Sequence, residues 1–194
     1  MIRGQARNDK RHKNYVVRRH LRSLPPEEKG FPHPHLDILS GAYMVRILPP
    51  WFENIRKRQV KAPKIYIRDT GLLHTLLQLV TLTDLQGHPT LGASWEGFAL
   101  EQVLGALNTR NTYSWATHAG AELDLFIMVG GKRYGVEFKY ADTPGRNRSM
   151  HTAIQDLSLE HLWVIYPGHQ EYTLDDKISA VPLDNALRLF DTLG

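Results

Sequence analysis

Cysteine is absent from the 194 residues, which excludes a disulfide framework and thiolate zinc sites and is compatible with a reducing setting. No apolar run reaches the roughly 18 residues of a membrane span, and the basic start lacks the apolar stretch of a signal peptide. The expectation is a soluble, cytoplasmic protein with no membrane partner. No GxxxxGKS/T phosphate loop occurs, so no ATP site and no ATPase activity are expected of this chain alone. Internal repeats and low-complexity tracts are also missing. What is present is 42% hydrophobic side chains, enough to bury one core, or one core with a small attached module.

The formal net charge of +4 conceals a division. Residues 1–35 hold nine Lys or Arg against three acids, a formal +6, whereas the remaining residues hold fifteen against seventeen. A basic arm of this kind can attract phosphate backbones or simply remain solvated. Within it, Asn14 to Leu24 has the composition of a short helix stopped by Pro25-Pro26.

A second segment, 36–80, begins with a short helix over Leu36 to Ala42, with Leu36 and Leu39 inward. Strands follow at Tyr43–Leu48 and Lys64–Arg68, then a helix from about Asp69. The loop between the strands carries Arg56, Lys57, Arg58 and Lys61. Helix, basic hairpin and helix suit part of a winged-helix-like segment whose loop, with Lys64, is available to nucleic-acid phosphates; an ordinary surface hairpin has the same pattern. Thr81 to Leu91 reads as a turn-rich link. Residues 92–194 form the α/β domain. There Ser94 is positioned to cap a helix over Trp95–Leu107 whose apolar face holds Trp95, Phe98, Ala99, Gln102, Val103 and Ala106. Strands at Tyr113–Thr117, Glu122–Val129 and Tyr134–Tyr140 come next, then a helix over Ser149–Leu159 and a strand at His161–Tyr166. A last strand near Glu171–Leu174 and a helix at Asp184–Thr192 close the domain.

The strands Glu122–Val129 and Tyr134–Tyr140, joined through Gly130-Gly131-Lys132-Arg133, read as one hairpin. A two-residue Gly-Gly turn sets Val129 against Lys132. The same register sets Ile127 against Tyr134, Leu125 against Val136 and Leu123 against Phe138 on a core-like face. On the other face Asp124 meets Glu137, and Glu122 meets Lys139. Directly opposed carboxylates destabilise a sheet unless something offsets the repulsion, and a bound cation does so. A bulge would break this arrangement.

An αβββαβ order with an acid in the first helix, an acid in the second strand and Glu-x-Lys in the third resembles the PD-(D/E)xK restriction-endonuclease-like superfamily. The matching positions are Glu96, Asp124, Glu137 and Lys139. The resemblance implies that the strand carboxylates bind Mg²⁺, with Glu96 as a further ligand, and that Lys139 orients or activates the attacking water. Magnesium takes hard oxygen ligands and retains waters, so one or two carboxylates with a substrate phosphate suffice. Composition alone predicts about 0.4 Glu-x-Lys matches in a chain of this make-up, and Glu27-Glu28-Lys29 is a second match. That one sits in a proline-flanked polar loop with no strand and no partner acid.

Leu36-Asp-Ile-Leu39 through Val45-Arg-Ile-Leu-Pro-Pro50, Pro63-Lys-Ile-Tyr-Ile-Arg-Asp-Thr-Gly-Leu-Leu73, and Ser94-Trp-Glu-Gly-Phe98 through Glu137-Phe-Lys139 narrow the resemblance. Together they resemble the C-terminal domain, of unknown function, found in prokaryotic AAA-type ATPases. Lys64, Asp69, Glu96, Asp124, Glu137 and Lys139 fall on its recurring motifs. The resemblance implies an ATPase module that is missing here and that acts, if at all, in trans. Two readings follow: a Mg²⁺-dependent hydrolase of nucleic-acid phosphodiesters, DNA foremost, or a catalytically silent DNA-binding or ATPase-accessory module on the same fold.

Overall fold

The computed structural model describes residues 34–193 except 54, 56 and 108. The basic arm with its expected helix at Asn14–Leu24, the Glu27-Glu28-Lys29 loop and Arg56 therefore lie outside the described residues. Helix α1 (Pro34–Gly41) leads into β1 (Val45–Leu48), which pairs antiparallel with β2 (Lys64–Ile67) as a two-stranded sheet. Helix α2 (Thr70–Leu76) starts where Asp69 caps it by accepting from the Leu72 N–H.

The stretch expected as a bare link contains a helix, α3 (Leu82–Gly87). Thr81 and Asp84 form a reciprocal capping box, which satisfies two of the backbone donors that a helix start leaves open. Helix α4 (Leu91–Ala106) begins a turn earlier than expected. Ser94 is thus inside the helix rather than at its cap, and its hydroxyl lies 2.7 Å from His74 Nε2 on α2. The inward face also differs. Ser94, Glu96, Gly97, Ala99, Leu100 and Val103 are buried, while Phe98 stays 39% exposed.

Strands β3 (Thr112–Ala116), β4 (Glu122–Val129) and β5 (Lys132–Phe138) form an antiparallel meander. Helix α5 (Arg148–Leu157), capped by Asn147, then crosses to β6 (His161–Tyr166), which lies parallel to β5. A parallel neighbour requires such a crossover. The end of the chain holds one strand more than expected. β7 (Tyr172–Asp175) turns through Asp176-Lys177 into β8 (Ile178–Pro182), and α6 (Leu183–Leu193) closes the domain. β8 inserts beside β6, giving a mixed six-stranded sheet in the order β3-β4-β5-β6-β8-β7.

Helices cover both faces of this sheet. Ala99, Leu100 and Val103 of α4 and Ala186 and Phe190 of α6 pack with Leu125, Ile127, Val136 and Phe138. Met150, Ala153 and Leu157 of α5 pack with Trp115, Leu123, Phe126 and Val164 on the other side. Leu123 and Leu125 are in different layers, contrary to strict alternation. The cause is a register shift against β3: Tyr113 faces Phe126, but Trp115 faces Leu123. One β3 residue thus stands opposite Asp124 and Leu125 together, a bulge that re-aims the side chains around it.

The loop between β1 and β2 does not project as a wing. The Trp51 N–H donates to the Ser114 carbonyl and the Ser114 N–H to the Pro49 carbonyl, at 2.7 and 2.8 Å. Farther along, the Val60 N–H donates to Ala116 and the His118 N–H to Arg58. Trp51 rests on Tyr113 and Phe126. The loop therefore covers the outer edge of β3, which would otherwise expose unpaired backbone groups.

Candidate functional site

The Gly130-Gly131 turn is as expected. Both glycines have positive φ, 56° and 75°, which glycine adopts without a Cβ penalty and which a two-residue hairpin turn requires. Val129 faces Lys132, Ile127 faces Tyr134 and Leu125 faces Val136. The ladder ends at that last pair. Two residues past Val136, the Phe138 N–H donates to the Asp124 carboxylate at 3.1 Å, so a side chain takes over where backbone pairing stops. A Cβ at nearby Gly135 would stand 2.8 Å from Leu159 Cδ1, so the Leu159 side chain would have to shift to admit one.

The expected acids are all buried: Asp124 and Glu137 are each 2% exposed and Glu96 is 6% exposed. Lys139, the first residue past β5, places its Nζ 2.6 Å from Glu137 Oε2. The Asp124 side chain turns toward α4. Between Asp124 and Glu96 sits the ammonium of Lys64, donating to Asp124 Oδ1 at 2.7 Å and to Glu96 Oε1 at 3.1 Å. The Tyr66 hydroxyl donates to the same Glu96 oxygen at 2.7 Å.

Period-two alternation explains this meeting. Lys64, Tyr66 and Arg68 leave one face of β2 and its continuation, and all three reach α4: Lys64 and Tyr66 reach Glu96, and Arg68 reaches Glu101 at 2.8 Å. Burial works against a charged lysine, but Asp124 first and Glu96 next outweigh it and hold the Lys64 ammonium well above its usual value. Burial, reinforced by Glu96, raises the Tyr66 hydroxyl well above its own, which keeps it a donor.

Of the five basic residues expected at phosphates, Lys57, Arg58 and Lys61 are exposed on the stapled loop. Lys57 is 2.8 Å from Asp156 of α5. Lys64 is set apart from these three by its inward contacts. Alternation in Lys-Ile-Tyr-Ile-Arg is the signal for it, together with two glutamates on an otherwise apolar helix. A cavity of about 600 Å³ opens elsewhere, lined by Arg46, Leu48, Leu107, Arg110 and Thr112 among others, and shares no lining residue with the acidic cluster.

Hard carboxylate oxygens are the donors magnesium prefers, so Glu96, Asp124 and Glu137 suit it in kind. Their arrangement is a different matter. Among the described residues no group of three His, Cys, Asp or Glu is set to hold a metal ion, and Glu96 and Asp124 share a lysine instead. No helix of the described residues is long and apolar enough to cross a membrane.

Residues 91–186 match the domain of unknown function DUF4143, and residues 33–83 match the domain of unknown function DUF8612. Two curated relatives are "Uncharacterized protein Mb2031c" of Mycobacterium bovis (strain ATCC BAA-935 / AF2122/97) and "Uncharacterized protein Rv2008c" of Mycobacterium tuberculosis (strain ATCC 25618 / H37Rv). Each is 50% identical over 153 residues, a match that takes in 79% of this chain and 35% of the relative. The chain thus matches about a third of the length of these relatives. No solved structure matches it.

Proposed function

We propose that the chain carries a nuclease-like module of PD-(D/E)xK type that hydrolyses nucleic-acid phosphodiesters, DNA foremost, with Asp124, Glu137 and Lys139 at the reacting centre. The observation that carries this reading is the burial of three carboxylates, with two partly exposed lysines against them, where the β4–β5 ladder opens. Buried ionic groups are expensive and concentrate where chemistry needs them. The carboxyl end of β5, in the parallel part of the sheet, is also where open α/β sheets favour ligands.

In this reading Asp124 and Glu137 would hold magnesium, with Glu96 as a further ligand. A bound magnesium ion would supply charge for the phosphate and a water of lowered pKa. Lys139, anchored on Glu137 Oε2, would orient the attacking water or stabilise developing negative charge with its ammonium. The module works beside an AAA-type ATPase, in the same protein or in trans. Support for that partner is the motif resemblance, and the relatives' length leaves room for further domains.

A second reading, a catalytically silent DNA-binding or ATPase-accessory module, draws on one observation: the Lys64 ammonium already lies between Glu96 and Asp124. Incubation of the full chain with linear, circular and single-stranded DNA, in Mg²⁺ or Mn²⁺ and in chelator, separates the two. We expect metal-dependent cleavage that disappears in Glu137→Gln. Intact substrates under every metal condition would leave only the silent module.

A further inference from the structure

We propose that Lys64 is an internal stand-in cation that closes the Glu96–Asp124 pair, so that a divalent cation gains these carboxylates only when the lysine side chain withdraws. The inference rests on reading the acidic cluster as a cation site and goes beyond it by assigning its control to the β1–β2 hairpin, outside the strands and helix that carry the acids.

Three observations support it. The ammonium contacts one oxygen of each carboxylate, at 2.7 and 3.1 Å, and two of the three acids named as ligands are the ones it holds. Glu96 and Asp124 are nearly closed to solvent, with side chains 8% and 3% exposed, whereas the Lys64 side chain keeps 17%. The lysine is therefore the member with a route outward. Lys64 is also the first residue of β2, and it follows the exposed Lys61 and a bend at the exposed Ala62. Its flexible four-carbon stem can swing without unpairing the strand.

The neighbours of Lys64 have other duties. Tyr66 holds Glu96 Oε1 from the same strand, and the Phe138 N–H holds Asp124 Oδ2. Withdrawal of the lysine would thus leave both carboxylates oriented. A site whose competent state is a minor population binds its ligand weaker by that fraction. A state populated at 10% or less gives a penalty of about ten-fold or more.

The test is titration of Mn²⁺ and Mg²⁺ into the full chain by calorimetry, for wild type, Asp124→Asn, Lys64→Met and the double variant Lys64→Met/Asp124→Asn. Removing the lysine should tighten binding about ten-fold or more, and the double variant should lose the gain. Lys64→Met should also gain more thermal stability from metal than wild type does, since a ligand stabilises the fold that binds it. Because Lys64→Met strips a buried pair of its cation and can fold poorly, a second measurement uses wild type: amine-reactive labelling mapped by mass spectrometry. Saturating Mn²⁺ should speed labelling of Lys64 relative to Lys177. Wild-type binding that depends on Asp124 but is unchanged by Lys64→Met, or a Lys64 labelling rate indifferent to metal, overturns the lock and leaves the cation site standing. Absence of metal binding in both wild type and folded Lys64→Met overturns the cation site as well.

Discussion

The β1–β2 hairpin meets α4 through two charged seams, and they are built in opposite ways. At one, Glu101 is held by two guanidiniums: Arg46 contacts both of its oxygens at 2.6 and 2.9 Å, and Arg68 contacts one at 2.8 Å. The arginines are 32% and 31% exposed. At the other, a turn and a half earlier on the helix, one lysine serves two carboxylates in a much drier setting. The first seam has cation to spare and water to screen it. The second concentrates negative charge where screening is weak. The arginine seam is thus a docking device, whereas the lysine seam sets its ionic groups where desolvation is costly.

The largest effect should come from making the same kind of cut in both seams. Lys64→Met leaves Glu96 and Asp124 facing each other without the ammonium. We expect a loss of about 3 kcal/mol, the lower end of what stripping one partner from a buried pair costs, given the residual exposure of Lys64. Arg68→Met leaves Glu101 with both Arg46 contacts and should cost about 1 kcal/mol. Urea unfolding monitored by tryptophan fluorescence, without divalent metal, measures both. Equal losses would erase the distinction between the seams.

Acid titration sharpens the contrast from the other side. Burial pushes the Glu101 carboxyl up, but the bonds from Arg46 and Arg68 outweigh it and hold the group below its usual value. A carboxylate depressed in the folded state contributes stability above its unfolded pKa and loses it as pH falls through the folded one. Glu101→Gln should therefore cost about 1–2 kcal/mol at neutral pH and flatten the decline of stability below about pH 4.5. An acid limb as steep as that of wild type would mean that the arginine clamp is not linked to folding.

Much of this architecture is legible in local pattern, and the part that is not depends on distance along the chain. The hairpin announces itself because Gly-Gly separates two alternating runs, and its register near the turn follows from turn geometry. The bulge at Asp124-Leu125 has no such mark: it arises from pairing with β3, which Leu-Asp-Leu-Phe does not encode locally. Thr81-x-x-Asp84 is a readable helix start inside a segment whose composition suggests only a link. Asp-Asp-Lys before Ile178 is likewise a readable turn, and it divides two strands where one was expected. Nearness in sequence groups Lys64 with Arg56, Lys57, Arg58 and Lys61. Its strand alternates, however, so its side chain joins Tyr66 on the seam, 60 residues from Asp124. Glu96 turns inward for a related reason: the helix face is set by what packs on it, not by its own apolar stripe.

The smallest effect is expected where the loop basics meet solvent, and it tests what that loop is for. Lys57 is 45% exposed and pairs with Asp156, a contact of the kind that contributes about 0–1 kcal/mol. Pro49, Trp51, Arg58 and Val60 already fix the loop through backbone bonds to β3 and the turn after it, so Lys57→Ala should leave the fold and its stability nearly untouched. That makes the loop a clean probe of nucleic-acid contact. If Lys57, Arg58 and Lys61 touch phosphates, replacing all three with alanine should lower the slope of log affinity against log salt by about 0.9 for each phosphate no longer neutralised. Such a change with an undiminished unfolding midpoint would assign the loop to DNA and the two seams to the fold and its acidic site. An unchanged slope would remove the loop from the interface and leave its basic residues as solvated cover for the sheet edge.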